Sequence, residues 1–540
     1  MALSHMTSER LSTLTSWNAD WNGLRVAVLG LSVTGFSVAD TLAELGADVL
    51  VVTEKADEEY ARLLPVIGAR LWTGPLDSAD TGTAEGSVPA ELTDFAPEVV
   101  VASPGFPPRH PLISWVRENG IALWGDVELA WRVRDKVVRA DGSPADWILV
   151  TGTNGKTTTT RLAATMLVAG GLRAAPVGNI GTPVLDAVRD PSGFDALVVE
   201  LSSHQLWYLG LQDSPDPVSP WAAVCLNLAD DHLEWHGSFD EYRAAKAHVY
   251  DNTRVACVYN KADAATQRMV EDAEVIEGAR AIGFDLGTPG PSDLGVVEGI
   301  VVDRAFLEDR RTSALELTTV DELASLGLAA PHIVSNILAA AALARSLDVA
   351  PAAIRDALRG FRLDPHRIEV VARHAGITWV DDSKATNPHA AASSLAAYPG
   401  AVWVVGGLLK GVDISELVSG RGAGAKAAIV IGVDRAAVVA AFERHAPAVP
   451  VFEVEADETE GVMAQVVELA AGVARDGDVV LLAPAAASFD QFASYADRGR
   501  RFAAAVRERI GTGDPGDHDT TAANPADAPR PDDARPDDRG

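Results

Sequence analysis

Lysine is scarce in this chain. Only eight of its 45 basic residues are lysine, at positions 55, 136, 156, 246, 261, 384, 410 and 426, and the rest are arginine. Where arginine meets the general need for positive charge, a lysine marks a place where a compact charge or a titratable amine is wanted. Cysteine occurs twice, as Cys225 and Cys257, each inside an apolar strand-like run ("WAAVCLNL", "RVACVYN"). That excludes a disulfide framework and predicts two buried thiols in a reducing cytoplasm. No apolar run approaches the about 18 residues of a membrane span, so no transmembrane helix is expected. The opening "MALSHMTSER" lacks a positive region followed by an apolar one, so no secretion signal is expected. Its "SHM" resembles a tag remnant, and residues 1–22 are expected to lack fixed structure.

Positive charge is also short: 76 acidic residues outweigh the 45 basic ones, for a net −31. The last thirty residues hold eight Asp and three Arg and no aromatic, and the stretch 512–540 is expected to be a disordered acidic tail. A body this acidic repels phosphate backbones, so nucleic-acid binding is not expected, and any anionic substrate needs cations placed for it. No repeat of fixed period is present. A cytoplasmic monomer is expected.

What is present is a succession of buried strands alternating with Ala-rich helical stretches. "LRVAVLG" (24–30), an amphipathic stretch and "DVLVVTE" (48–54) form a β-α-β unit. "PEVVVASPG" (97–105), "WILVTGTNGKTTTT" (147–160), "ALVVEL" (196–201), "AVWVVGG" (401–407), "AAIVIG" (427–432) and "DVVLLAP" (478–484) continue the plan. Near-continuous apolar strands predict α/β folds with parallel sheets. The polar linker "RADGSPAD" (139–146) and the break at "RGFRLDPHR" (359–367) divide the chain into domains 23–143, 144–363 and 364–511.

"VTGTNGKTTTT" predicts a phosphate-binding loop. A strand ends, Gly152 and Gly155 allow close backbone approach, and Lys156-Thr157 open a helix. Backbone N–H groups and a positive helix end then face phosphates, with Lys156 on their oxygens and the Thr157 hydroxyl toward Mg²⁺. The loop departs from the G-x-x-x-x-G-K-[ST] pattern, with Val150 in the first glycine position. Two other strands end in "VVELSSHQ" and "LNLADDHLEWH", placing Glu200, Asp230, Asp231 and His232 on the same sheet edge as candidate metal ligands. The turn "GLSVTG" (30–35), with Glu54 after the next strand, predicts a second nucleotide-binding turn, although Ser32 replaces the middle glycine of a dinucleotide fingerprint.

"TGTNGKTTTT", "VGNIGTP", "ELSSHQL", "DDHLEWHGSFDEYRAAKAHVY", "DPHRIE", "VDDSKATNP", "VVGGLLKGVD" and "LLAPAAASFDQF" together resemble the Mur ligases, the ATP-dependent amide-forming enzymes of peptidoglycan precursor assembly. The resemblance runs from about Leu24 to Arg509 and is strongest to the branch that adds D-glutamate to UDP-N-acetylmuramoyl-L-alanine. It implies three domains: an N-terminal Rossmann-like nucleotide-binding fold, a central P-loop ATPase domain with a parallel sheet, and a C-terminal Rossmann-like domain. It also implies ATP, two Mg²⁺ ions and a carbamate on Lys246. ATP would meet Gly152, Thr153, Asn154, Gly155, Lys156, Thr157 and Thr158, with Asn336, Arg367 and Asp382 at the adenine, phosphate and ribose positions. Glu200, His232 and Lys246 would place the metal with Thr157, and with Lys156 form the catalytic set. The UDP substrate would meet Val33, Thr34, Gly105, Asn179 and the neighbourhood of Glu54. D-Glutamate would meet Lys384, Thr386, Lys410, Ser488 and Tyr495. Tyr495 stands where the family has Phe, and "APA" (483–485) stands where it has "SPA"; both departures bear on the shape of the amino-acid pocket.

Lys246 lies in "YRAAKAHVY" between two tyrosines. One reading lays its stem along the rings with the ammonium in water. The other makes it the carbamylated lysine: a neutral amine adds CO₂, whereas a guanidinium that stays charged does not. Competing functions are another Mur ligase, a folylpolyglutamate synthase-like ligase, a nicotinamide-dependent oxidoreductase built on the first β-α-β unit, and a P-loop binding module without ligase chemistry.

Overall fold

The computed structural model describes residues 9–76, 88–455 and 459–511. The expected acidic tail lies outside them. The described residues form two compact units, divided between Arg362 and Leu363.

The first unit holds two sheets. A five-stranded parallel sheet runs in the order Arg70–Thr73, Asp48–Thr53, Arg25–Leu29, Val99–Ala102, Ala122–Gly125. Its order reverses between Arg25–Leu29 and Val99–Ala102, and such a switch point leaves a crevice at the strands' carboxyl ends. The turn 30–35 and the loop starting at Ser103 flank that crevice. Val33 is exposed at the start of the helix Val33–Glu44, and Glu54 and Gly105 are exposed beside it.

A nine-stranded sheet follows. Its centre is Asp146–Thr151, buried along its whole length and flanked in parallel by Ala196–Glu200 and Ala222–Cys225. Burial on both faces explains why these strands are almost wholly apolar. Cys225 and Cys257 are free thiols in the core of this sheet.

The two sheets share one core, in which Trp131 meets Trp147 edge-on with ring centroids 5.1 Å apart. The N-terminal stretch corrects an expectation here. Leu14 and Trp21 are fully buried in that core, so residues 9–22 are packed structure. Arg132, 2% exposed, ties them down. It donates to the Leu14 carbonyl at 3.0 Å, pairs with buried Glu128 at 2.8 Å and lies over the Trp124 ring. Burial holds the Glu128 carboxyl above its ordinary range despite that pairing. Arg132→Met is expected to destabilise the fold by about 3–5 kcal/mol, because a buried carboxyl loses its partner. Adding Glu128→Leu should restore most of that loss, and urea denaturation of the three variants checks both statements.

The second unit contains a six-stranded sheet in the order Glu369–His374, Ile377–Asp381, Val479–Leu482, Val402–Gly406, Ala427–Ile431, Val451–Glu453. All neighbours are parallel except the first pair. Apolar clusters cover both of its faces.

Candidate active site

The central strand of the nine-stranded sheet delivers the phosphate loop. Gly155 has φ +86° and precedes the helix Lys156–Ala169, and a Cβ there would stand 2.5 Å from the Asn336 side-chain oxygen. Glycine is therefore required both by its left-handed backbone and by the approach of Asn336, which is itself buried. Asn227, at the exit of the neighbouring strand, accepts the Asn154 N–H at 2.8 Å and donates to the Asn154 carbonyl at 3.0 Å. An Asn closing an apolar strand is all that marks this pair of hydrogen bonds in the sequence.

Lys156 turns back onto its own loop and donates to the carbonyls of Gly152 at 2.8 Å and Thr153 at 3.0 Å. Lys246 arrives from the helix Phe239–Ala247 and donates to the same Gly152 carbonyl at 3.0 Å and to Thr151 Oγ1 at 3.2 Å. The Lys246 side chain is fully buried, with its nitrogen 5.0 Å from the centre of the Tyr242 ring. The reading that leaves its ammonium in water is thereby excluded. Burial, and then the neighbouring Lys156 charge, push Lys246 down to about 7. The hydroxyl of Tyr242, the ring facing the Lys246 nitrogen, bonds Thr153 Oγ1 at 2.8 Å.

Glu200 ends the strand beside the loop and is 2% exposed. Asn179 donates to its Oε1 at 3.1 Å, while Oε2 is buried without a hydrogen-bond partner. A buried carboxylate oxygen lacking any donor is costly unless a cation completes it. His232 sits in a left-handed conformation (φ 54°) opening a short helix. Its ring packs at 4.7 Å from that of His204, which stacks on Trp235 at 4.4 Å. Burial pushes His204 down to about 3 and His236 to about 4, so both rings are neutral near pH 7. The His232 side chain is exposed beside the Asp231 carboxylate, 3.6 Å away, and partial desolvation lowers its pKa. Thr157 is half-buried in the first turn of the phosphate-loop helix. The unpartnered Glu200 oxygen and the Thr157 hydroxyl are oxygen donors of the kind Mg²⁺ takes, and a carboxylate carried on Lys246 would add another.

In the second unit, three parallel strands end together. Asp382, Lys384 and Thr386 follow Ile377–Asp381, Lys410 follows Val402–Gly406, and Ser488 follows Val479–Leu482. Asp382 is buried, accepts the Ser394 hydroxyl and the Ile368 N–H, and is pushed up to about 6 chiefly by burial. Arg367 lies between two left-handed residues, His366 (φ 65°) and Ile368 (φ 48°). His366 is locked by a 2.7 Å bond to Asp381, which raises its pKa. Lys384 donates to the Tyr495 hydroxyl at 2.8 Å. That bond exists because the residue here is Tyr. Lys410 is exposed on a left-handed turn (φ 53°), and Ser488 is buried.

No local sequence pattern marks Arg498. It is fully buried and donates to the Ser383 hydroxyl and carbonyl, both at 2.9 Å, and to the Ala486 carbonyl. It thereby clamps the loop carrying Lys384 to the loop carrying Ser488.

Comparison with known proteins identifies the family of the chain. Residues 150–344 match the Mur ligase middle domain, and residues 366–486 match the Mur ligase, glutamate ligase domain. A protein of Leifsonia xyli subsp. xyli named UDP-N-acetylmuramoylalanine–D-glutamate ligase is 62% identical over 96% of this chain and 99% of its own length. One of the same name from Streptomyces coelicolor is 49% identical over 91% of this chain and 99% of its own. The solved pseudomurein peptide ligase type C of Methanothermus fervidus shares the fold, with a TM-score of 0.51 at 17% identity over 90% of this chain and all of that one. With the phosphate loop, Glu200 and Lys246 inside the first matched region, Lys384 and Lys410 inside the second, and relatives of 62% and 49% identity over nearly the whole chain, the chain belongs to the Mur ligase family.

Proposed function

We propose that this protein uses ATP to join D-glutamate to UDP-N-acetylmuramoyl-L-alanine, releasing ADP and phosphate. The observation that carries this reading is the unpartnered, buried Glu200 oxygen beside a phosphate loop and a buried, uncharged-prone lysine. The relatives' shared name supports the choice of substrates.

The crevice at the switch point of the first sheet receives the UDP end through Val33, Thr34, Gly105 and the region of Glu54, and Asn179 contacts the substrate near Glu200. Lys156 exchanges its loop carbonyls for phosphate oxygens when nucleotide binds. The substrate carboxylate forms a bond to the γ-phosphorus while the bridging P–O bond to ADP breaks. The amine of D-glutamate then adds to the acyl carbon, loses a proton, and phosphate leaves. Lys384, Lys410, Thr386, Ser488 and Tyr495 hold the dicarboxylate amino acid, and Asn336, Arg367 and Asp382 serve the nucleotide. Two Mg²⁺ ions held by Thr157, Glu200, His232 and a carbamylated Lys246 would neutralise the repulsion between an anionic nucleophile and a triphosphate. The carbamate forms when the neutral Lys246 amine adds CO₂ and releases a proton, converting a basic side chain into an acidic one.

Phosphate release with UDP-N-acetylmuramoyl-L-alanine and ATP is expected with D-glutamate and not with L-alanine or a diamino acid. An equal response to either of the others would replace this reading with another amide ligase of the family.

A further inference from the structure

The helix Ser203–Leu209 follows the Glu200 turn, yet it is fastened at both ends to the neighbouring five-stranded sheet. At its far end the Tyr208 hydroxyl donates to the Phe106 carbonyl at 2.7 Å, in the loop after the switch-point strand. A Cβ on Gly125 would stand 3.0 Å from the Tyr208 Cβ, so the helix lies directly on the start of the helix Asp126–Arg132. At its near end Gln205 Nε2 donates to Asp126 Oδ2 at 2.9 Å. Both residues are 4% exposed.

Asp126 takes no part in the reaction described above. Its carboxylate accepts from the Gln205 amide at the start of its own helix, and burial pushes it up to about 6. Keeping an acid in such a place is unfavourable unless its acceptor-only character is used.

Gln205 shows the use. Its Oε1 accepts the Ser202 N–H at 3.1 Å and the Ser202 hydroxyl at 3.3 Å, and its own N–H donates to Ser202 Oγ at 3.2 Å. A side-chain amide can bind in two flipped orientations. Only the one with the NH₂ toward Asp126 leaves the oxygen for Ser202. A carboxylate, which only accepts, selects that orientation. Ser202 stands two residues after Glu200, and the intervening Leu201 is pinned by its N–H to the Val150 carbonyl and its carbonyl to Thr151 Oγ1. The turn that aims Glu200 is therefore fixed on one side by the central strand and on the other by Gln205.

We infer that Asp126 is a positioning residue for the metal-binding turn: by setting the flip of Gln205 it holds Ser202, and through it the aim of Glu200. The inference rests on the proposed role of Glu200 as a Mg²⁺ ligand. Outer partners of metal ligands typically change metal affinity about 10–100-fold. Asp126→Asn replaces an acceptor-only partner with an amide that can present either its oxygen or its NH₂ to Gln205. The selection of one Gln205 orientation is then lost, and in the flipped one its NH₂ meets the Ser202 N–H. Combining Asp126→Asn with Gln205→Glu reverses the polarity of the pair at unchanged total charge and size, and returns an acceptor to Ser202.

The test is calorimetric titration of Mg²⁺ into the full-length protein with a non-hydrolysable ATP analogue, with melting temperature and D-glutamate-dependent turnover measured beside it. Asp126→Asn is expected to weaken Mg²⁺ binding about 10–100-fold, and the double variant to bring it back to within about threefold of wild type. Unchanged Mg²⁺ affinity in Asp126→Asn overturns the inference. So does a double variant that regains its melting temperature but not its Mg²⁺ affinity. Wild-type protein that binds the analogue with no Mg²⁺ dependence overturns the metal reading itself, and the inference with it. Wild-type protein that shows Mg²⁺-dependent binding but no turnover with D-glutamate overturns only the substrate assignment.

Discussion

Lys246→Arg is expected to lower turnover at least about 10²–10³-fold, the size of effect seen when a group that stabilises developing charge is removed, while the protein stays folded. The substitution keeps a positive charge and a long stem, so a purely structural or electrostatic lysine would tolerate it. Two features of the site make it intolerant. The Lys246 nitrogen shares the Gly152 carbonyl with Lys156, so two permanent cations would crowd one acceptor. Arginine also cannot shed its proton to add CO₂. Lys246→Ala removes the amine without adding charge, and a small carboxylate supplied in the buffer is expected to restore part of its turnover. The same chemistry sets the pH response. With the amine pushed down to about 7, its neutral fraction grows as pH rises from 6 to 8. Reactivation by bicarbonate of protein stripped in CO₂-free buffer should therefore be fuller at pH 8 than at pH 6. Normal turnover in Lys246→Arg would remove the carbamate from the proposal.

The parts legible in the sequence are those with local patterns. Buried parallel strands announce themselves as apolar runs, and the phosphate loop as a strand, two glycines and a Lys-Thr pair opening a helix. Lys246 was legible because a rare residue type fell one helical turn from a tyrosine on either side, one face of a helix. The parts that were not legible are joined across long stretches of chain. Gln205 and Asp126 are 79 residues apart, Asn227 and Asn154 are 73 apart, and Arg498 and Ser383 are 115 apart. Each is a polar residue whose role exists only once a sheet brings the partner to it. The N-terminal stretch misled for a related reason. Polar composition around Leu14 and Trp21 hides two side chains that fill a core completed by residues over a hundred positions later.

Glu200→Gln carries the other large expectation. The substitution preserves shape and leaves Oε1 to accept from Asn179 as now. What changes is the second oxygen, which is buried and has no donor. An amide places an NH₂ there, which neither ligates a cation nor carries the charge that offsets the nearby ammonium groups. Since no existing hydrogen bond is broken, the melting temperature should move little. Turnover should fall about 10²–10³-fold, and the Mg²⁺ concentration for half-maximal rate should rise. Were the unpartnered oxygen merely a packing accident, the amide would be harmless or mildly stabilising, because replacing a buried charge with a neutral isostere lowers the desolvation cost. The two accounts therefore predict opposite pairs of results: a stable protein with failed metal dependence, or a stabilised protein that still turns over at wild-type Mg²⁺.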